Sequence, residues 1–236
     1  MARRFTARIA DSLADELAAQ ALRGRVFRQG QADVDAFDES CIHVLVEDLA
    51  ANRVVCTYRI QPFESGADIS RSYAAQFYEL SALKAYDGKL VEMGRFCVDP
   101  SYNDPDILRV AWGMMTTYVD ENNVKMLFGC SSFHGAEADV HLEAFALLKA
   151  RHLAPRKYLP QIKAPKVFRF ARLMRKPNLR AAQNAMPPLL RTYLMMGGWT
   201  SDHAVVDREL NTLHVFTGLE IGAIPAARKR LLRASA

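Results

Sequence analysis

Glu92 and Arg95 stand in an otherwise apolar, strand-like stretch that runs from Leu90 to Val98. A carboxylate or a guanidinium buried in such a strand costs several kcal/mol unless it is paired and hydrogen-bonded. The two side chains are therefore either a structural ion pair or parts of a site, and their residue types suit proton transfer and anion binding, respectively.

In a regular strand, the side chains of Glu92 and Arg95 would lie on opposite faces, because side chains alternate with a period of two and these residues are three apart. Gly94 between them changes this expectation, since a glycine inside a strand often marks a bulge that would turn both charges toward the same side. A splay at the bulge would leave backbone N–H and C=O groups unpaired. Such groups suit an amide-bearing ligand arm such as pantetheine.

A second apolar stretch, at 127–135, ends in the polar residues Ser131, Ser132 and His134. We expect its strand to cover 124–130, which places the hydroxyl groups and the imidazole just beyond the strand end. Hydroxyl groups can donate to a developing oxyanion, and an imidazole can move a proton.

Hydrophobic periodicity predicts the elements that position these residues. A strand, a helix and an antiparallel meander come first, and a helix, a buried strand, further helices and a final hairpin follow. The order strand, helix, strand, helix around the two polar stretches implies a right-handed crossover and a parallel central pair. The predicted strands are 5–9, 42–47, 53–60, 90–98, 124–130, 199–207 and 212–221, and the predicted helices are 12–27, 107–118, 139–152 and 189–196.

Length and composition bound the class of protein. The 236 residues are 50% hydrophobic and no Pro/Gly/Ser-rich linker divides them, so we predict a single domain over 1–236. The absence of a long apolar run or a signal-like start leads us to expect a cytoplasmic protein. Four scattered cysteines are typical of reduced core thiols, and the dispersed histidines do not suggest a metal.

Positive charge is concentrated in one segment, since 144–201 contains no Asp or Glu. Lys166, Arg169 and Arg172 are spaced by three among aromatic and aliphatic residues, as on one face of a helix at a membrane surface. We predict a basic helical insertion at about 153–186, before the C-terminal hairpin, that meets an anionic partner. A solvated basic face is the alternative.

The order of elements and the Glu-x-x-Arg-Phe strand resemble the GNAT superfamily of N-acyltransferases, in particular its acyl carrier protein-dependent branch. A more specific resemblance is to the ornithine lipid N-acyltransferases, whereas acyl-homoserine lactone synthases share fewer motifs. The resemblance to GNAT enzymes implies a mixed α/β fold with a mostly antiparallel central sheet, a splayed parallel pair in its middle and helices on both faces. The matching motifs are ALRGRVF (21–27), DAFD (35–38), TYR (57–59), EMGRF (92–96), FGCSSFHG (128–135) and PPLLRTYL (187–194).

The resemblance implies that the α-amino group of an amino acid, ornithine in the leading hypothesis, attacks a 3-hydroxyacyl thioester. A base must then take a proton from an ammonium that is mostly protonated at neutral pH. Glu92 is the candidate base, directly or through water, and His134 is a second candidate. Ser131 or Ser132 would donate to the oxyanion, unless backbone N–H groups do so.

The same resemblance assigns residues to substrate binding. Arg59 and Arg95 would anchor a carboxylate or a phosphate. Asp35 and Asp38 would hold the two amines of ornithine, and Asp207 matches a family position of less defined role. Pairing among these charges, or capping and solvation of the carboxylates, is the structural alternative.

The expected donor is the 3-hydroxyacyl-phosphopantetheine of acyl carrier protein, with no cofactor bound by the chain itself. GNAT enzymes usually hold the pyrophosphate of coenzyme A with a glycine-containing loop at a helix N-terminus. The corresponding 99–106 has no glycine and three aspartates, which would repel a pyrophosphate. Arg109 would meet the single phosphate of the arm, and Lys166, Arg169 and Arg172 would dock the carrier.

The leading hypothesis is thus an N-acyltransferase that makes lyso-ornithine lipid, in peripheral contact with the anionic inner face of the cytoplasmic membrane. The alternatives are the same transfer to another amino acid such as glutamine, and an S-adenosylmethionine-dependent acyl-homoserine lactone synthase. A basic, non-catalytic module that binds anionic lipid or nucleic acid is the alternative outside enzymes. Under the leading hypothesis, we expect no nucleic acid among the partners.

Overall fold

The computed structural model describes residues 3–234. Its strands form a mostly antiparallel sheet with one parallel pair, and helices accompany them, which confirms the predicted mixed α/β fold class. The chain divides into two compact units, and each is described separately. The first unit comprises Met1–Pro62, Val91–Val124 and Ala226–Ala236, and the second comprises Phe63–Leu90 and Lys125–Pro225. The single domain stays a prediction.

The bounds of most predicted elements lie within a few residues of those in the structure. In chain order, the strands and α-helices are β1 (Phe5–Ile9), α1 (Leu13–Phe27), β2 (Ile42–Asp48), β3 (Arg53–Phe63), β4 (Tyr78–Glu79), β5 (Leu90–Val98), α2 (Pro105–Glu121), β6 (Met126–His134), α3 (Leu142–Arg151), β7 (Gln161–Ile162), β8 (Val167–Phe168), α4 (Leu179–Ala185), α5 (Pro188–Met195), β9 (Trp199–Thr200), β10 (Ala204–Asp207), β11 (Thr212–Glu220) and α6 (Ala226–Arg233).

In the first unit, β2 pairs antiparallel with both β1 and β3, and β5 follows β3 in the sheet. The helix α1 begins after Ser12, whose side chain accepts a hydrogen bond from the backbone N–H of Asp15. Gly24 lets the loop that follows α1 close onto the helix, because a Cβ at this position would lie 2.1 Å from the carbonyl oxygen of Gln31. This close approach positions the aspartates of the loop.

The backbone of β5 is irregular at Arg95 rather than at the glycine before it. Arg95 has a φ of 52°, in the left-handed region that non-glycine residues rarely adopt, whereas Gly94 is absent from the positive-φ residues. A Cβ at position 94 would meet no atom within 4 Å. The predicted break in the strand is therefore present, but the residue that bears it is the arginine, and its ion pairs compensate the unfavourable φ.

In the second unit, β11 pairs antiparallel with β6 over nine residue pairs, and with β10 and β9. One face of this sheet carries Phe133 and Val215 against Phe145 of α3, and the other carries Phe128 and Phe216. The prediction that strand 124–130 ends before its polar residues was wrong. Pairing with β11 continues to His134, because the partner strand, not the polarity of the residues, decides where a strand ends.

The predicted basic helical insertion was largely wrong in its secondary structure. Within 153–186 only α4 is α-helical, and the rest consists of the short strands β7 and β8 with 3-10 turns. Pro155, Pro160, Pro165 and Pro177 interrupt the segment at short intervals and remove the N–H donors that a continuous helix needs. Among the helices of residues 3–234, none is long and apolar enough to cross a membrane.

Candidate functional site

A buried group of opposite charges, here called the charge cluster, occupies the first unit. Arg23 comes from α1, Arg28 follows that helix, and Arg59 and Arg95 come from β3 and β5. The aspartates come from the loop that packs against Gly24. Arg23 and Asp33 are 0% and 1% exposed, which makes this one of the most deeply buried groups of charges in the described chain. The charge cluster comprises Arg23, Arg28, Asp33, Asp35, Asp38, Arg59 and Arg95.

Asp38 joins two arginines of the charge cluster. Its two carboxylate oxygens accept from the two terminal nitrogens of Arg23, both at 2.8 Å, and one of them also accepts from Arg59 at 2.8 Å. Arg59 donates further to Asp35 at 2.5 and 3.1 Å. Bidentate geometry of this kind is the strongest arrangement for an arginine and a carboxylate.

Arg95 of β5 reaches the same loop. It donates to Asp33 at 2.8 Å and to Asp35 at 3.2 Å. Of the alternatives considered for the predicted substrate-binding residues, pairing among themselves is therefore realised. Asp35 and Asp38 hold guanidinium groups in place, and direct binding of ornithine amines by these two carboxylates stays a prediction.

The pKa values in the charge cluster follow from these contacts. Burial acts against ionisation of Asp38, but the hydrogen bonds from Arg23 and Arg59 outweigh it and hold the pKa of this carboxyl well below its usual range. The pKa of Asp35 is lowered in the same way, again against the effect of burial, by Arg59 and Arg95. Both aspartates are therefore carboxylates at neutral pH.

Two buried groups on β3 have no hydrogen-bond partner among residues 3–234. They are Nε of Arg59 and Oε1 of Gln61, which share a face of the strand because they are two residues apart. The orientation of the Gln61 amide is fixed, since the Ser40 hydroxyl donates to the carbonyl of Phe37 and must accept from Nε2 of Gln61. One open donor and one open acceptor thus lie beside the charge cluster.

Glu92 is 4% exposed in the first unit. Burial raises the pKa of the Cys41 thiol to about 11, Arg59 opposes the rise, and the negative charges of Glu92 and Asp35 contribute to it. Glu92 therefore lies close enough to Cys41 for their charges to interact. The structure places Glu92, Arg59 and Arg95 in one unit with the acidic loop and leaves Cys41 protonated.

The polar residues of β6 lie in the second unit, on alternating faces. Ser131 is buried and accepts a hydrogen bond from the Thr217 hydroxyl at 2.9 Å, so its own proton is available to another acceptor. Ser132 and His134 are exposed on the other face. Because neighbouring residues of a strand point in opposite directions, the two serines cannot face the same ligand.

The remaining predicted site residues lie on the surface or in turns. Asp207 accepts from the backbone N–H of Leu210 at 3.0 Å and so shapes the turn between β10 and β11. Arg109 is exposed and pairs with Asp106 at 3.0 Å. Lys166, Arg169 and Arg172 are all exposed, as a docking surface requires.

One group of polar residues was not predicted. Tyr78, His203 and His214 lie together in the second unit, with the Tyr78 ring 5.3 Å from that of His203 and 5.6 Å from that of His214. The sequence separates the two histidines, and only the register of the β10–β11 hairpin brings them together. Among residues 3–234, no set of three or more His, Cys, Asp or Glu could hold a metal ion.

Comparisons with known proteins agree with this geometry. Residues 18–113 match the acetyltransferase (GNAT) domain, a segment that contains the whole charge cluster. The L-ornithine N(alpha)-acyltransferase of Rhodobacter capsulatus is 32% identical over 83% of this chain and 77% of its own length. That of Brucella abortus is 33% identical over 92% and 84%, respectively. The chain belongs to the L-ornithine N(alpha)-acyltransferase family.

A solved structure supports the fold assignment of this member of the L-ornithine N(alpha)-acyltransferase family. FeeM, an N-acyl amino acid synthase from uncultured soil microbes, has a TM-score of 0.54 at 14% identity and covers 93% of this chain and 92% of its own. At this identity the likeness concerns the fold alone. Family membership confirms the predicted enzyme class, an acyltransferase, while the individual site residues stay predictions.

Proposed function

We propose that the protein transfers an acyl chain from acyl carrier protein to the α-amino group of ornithine, which yields an N-acyl amino acid, the lyso form of an ornithine lipid. Membership of the L-ornithine N(alpha)-acyltransferase family supports the acceptor. The structural observation that carries the proposal is the pair of open groups on β3, beside a charge cluster that holds them in place.

An amino acid offers two groups of opposite character. Nε of Arg59 is a buried cationic donor and matches an α-carboxylate, whereas Oε1 of Gln61 is a buried acceptor and matches an ammonium. A buried polar atom without a partner costs free energy until a ligand supplies one, so binding is favoured at both atoms. The aspartates act here by fixing the guanidinium of Arg59.

The reaction requires an amine that has lost a proton. Glu92 takes this proton from the α-ammonium, directly or through water. The amine nitrogen then attacks the thioester carbon and forms the amide bond, the C–S bond breaks, and the phosphopantetheine sulfur leaves as a thiolate that takes up the second proton of the amine.

The N-terminus of α2 supports a carrier-bound donor over coenzyme A. Asp104 precedes this helix, and its carboxylate already accepts from the backbone N–H of Asp106 at 3.0 Å. A pyrophosphate at this helix end would compete with, and be repelled by, that carboxylate. Arg109 lies in the first turns of α2, and it would contact the single phosphate of a phosphopantetheine arm after leaving Asp106.

The exposed bases of the second unit suit an acidic carrier and an anionic membrane surface. Lys166, Arg169 and Arg172 are exposed, and Met174, 99% exposed, follows them. Exposed bases next to an exposed apolar side chain are typical of proteins that contact a lipid headgroup region. Peripheral contact with the cytoplasmic face of the membrane would allow the lipid product to enter the membrane directly.

The test is transfer with purified components. The protein is mixed with 3-hydroxyacyl carrier protein and either ornithine or glutamine, thiol release is followed, and products are identified by mass spectrometry. We expect N-acyl-ornithine with one thiol released per product, and little product with glutamine or with acyl-coenzyme A. Absence of acylated ornithine would refute the proposal. Preferred acylation of glutamine would show that glutamine, not ornithine, is the acceptor.

A further inference from the structure

His214 and Tyr78 form a hydrogen-bonded pair within the buried group of Tyr78, His203 and His214 in the second unit. His214 of β11 is 3% exposed, and the rings of Phe77 and Tyr78 lie 4.9 and 5.6 Å from its imidazole. Phe216, on the same face of β11, packs against Tyr78 at 5.7 Å. The rings beside His214 are therefore aromatic, and no carboxylate among residues 3–234 contacts its imidazole directly.

The hydrogen bonds of Tyr78 fix the tautomer of His214. The Tyr78 hydroxyl lies 2.8 Å from the carbonyl oxygen of His214 and 3.1 Å from Nδ1 of the same residue. A carbonyl oxygen can only accept, so the single proton of the hydroxyl goes to it. Nδ1 must then donate to the phenolic oxygen, and Nε2 carries a lone pair and no proton.

Nε2 of His214 is buried and has no hydrogen-bond partner among residues 3–234. Burial lowers the pKa of His214 to about 4. Asp207 raises this pKa slightly and His203 lowers it slightly, so the imidazole is neutral at pH 7. Such a group is too weak a base to take a proton from an ammonium. It is an acceptor, and it is complete only when a ligand donates to it.

The surroundings limit which ligand can donate. An ammonium would lose its hydration here and would gain only the ring faces, with no carboxylate of residues 3–234 beside the imidazole, so a neutral donor is favoured over a charged one. A neutral hydroxyl on an apolar chain satisfies both the acceptor and the rings. The site is also next to a predicted substrate-binding residue, since His214 stands directly opposite Ser132 in the pairing of β11 with β6.

We propose that Nε2 of His214 accepts a hydrogen bond from the hydroxyl group of the acyl chain, and thereby selects 3-hydroxyacyl donors. The inference rests on the proposed function, which supplies the acyl chain. A keto group at the same carbon offers only lone pairs and would be repelled by Nε2. The expected order of preference is therefore 3-hydroxyacyl, then unsubstituted, then 3-oxoacyl.

Two substitutions separate the acceptor from the rest of the imidazole. In His214→Asn the side-chain amide can still donate toward Tyr78, but nothing reaches the position of Nε2. In His214→Gln the longer side chain can place its carbonyl oxygen near that position. His152→Asn serves as the control, since His152 follows α3 and is not part of the aromatic group.

The measurement is kcat/KM for ornithine acylation with 3-hydroxyacyl and unsubstituted acyl carrier proteins of the same chain length. Wild type and H152N are expected to prefer the hydroxylated donor at least about tenfold, the size of one well-formed hydrogen bond to a buried group. H214N should lower this ratio to near one by losing activity with the hydroxylated donor only, and H214Q should restore part of it.

Three outcomes would overturn the inference while leaving ornithine acylation intact. The first two are a wild-type preference for the hydroxylated donor near one and an unchanged preference in H214N. The third is loss of this preference in His203→Asn instead, since His203 also has a buried Nε2 without a partner among the described residues. Absence of acylated ornithine from every donor would refute the proposed function itself. ¹⁵N NMR of His214 in the wild-type protein tests the tautomer independently, and a protonated Nε2 would contradict the assignment.

Discussion

Replacing Asp38 by Asn tests whether the charge cluster holds the first unit together. The change removes a carboxylate that is 8% exposed and that binds Arg23 through two hydrogen bonds and Arg59 through a third. Removing one partner of a buried ion pair costs about 3–5 kcal/mol, because the remaining charge is left uncompensated. Each of the two arginines keeps a second aspartate, so we expect the lower end, about 3 kcal/mol.

Chemical denaturation and thermal melting measure this loss. For a chain of this length, about 3 kcal/mol corresponds to a fall in Tm of about 6–12 °C. Asp68→Asn is the matched control, because Asp68 is half exposed and lies 4.0 Å from Arg71. An exposed pair of this kind contributes under about 1 kcal/mol, so the control should melt within about 4 °C of wild type.

The pH dependence of stability tests the role of Asp38 a second time. The pKa of Asp38 is lower in the folded protein than in the unfolded chain, so its contribution is complete above the unfolded value of about 3.9 and is lost as the pH falls below it. The stability difference between wild type and D38N should be constant from pH 8 to 6 and shrink below about pH 4. A difference under about 1 kcal/mol at pH 7, or one that grows in acid, would refute the reasoning.

Three further predictions concern the base, the docking surface and the loop. E92Q should lower kcat at least about a hundredfold at pH 7 with an unchanged Tm, and a normal rate in stopped-flow thiol release would contradict a role as base. K166A/R169A/R172A should weaken binding to acyl carrier protein or anionic vesicles, with a smaller salt dependence than wild type, and equal binding by light scattering would exclude this surface. Gly24→Ala should destabilise the protein by about 1–3 kcal/mol, because its Cβ meets a backbone oxygen at 2.1 Å, and an unchanged melting curve would show that the loop yields.

The sequence was most informative where local pattern and tertiary contact agree. The β2–β3 hairpin and the helices α1 and α2 were predicted because their periodicity is enforced by burial of one face. Glu92 and Arg95 were noticed because charges inside an apolar strand are energetically anomalous. In the structure, Arg95 is paired with Asp33 and Asp35 of the charge cluster, which explains how a charge is tolerated in this strand.

Other features depend on contacts that a single sequence does not encode locally. The length of β6 is decided by its partner β11, and the positive φ of Arg95 is tolerated because Asp33 and Asp35 hold its guanidinium. The acceptor nitrogen of His214 follows from two contacts of Tyr78, a residue 136 positions away. No spacing rule would have found it. The basic segment was interpreted by charge spacing, although its prolines already argued against a long helix.

The most direct test of the account is the fate of labelled ornithine in cells. A bacterium that makes no ornithine-containing lipid would express the wild-type chain or its Arg59→Ala variant, be fed ¹⁵N-labelled ornithine, and have its lipids analysed by mass spectrometry. The account predicts a labelled N-(3-hydroxyacyl)-ornithine in cells with wild type and none with the variant, although the variant is present in the cells. Absence of any labelled lipid from cells with folded wild-type protein would contradict it.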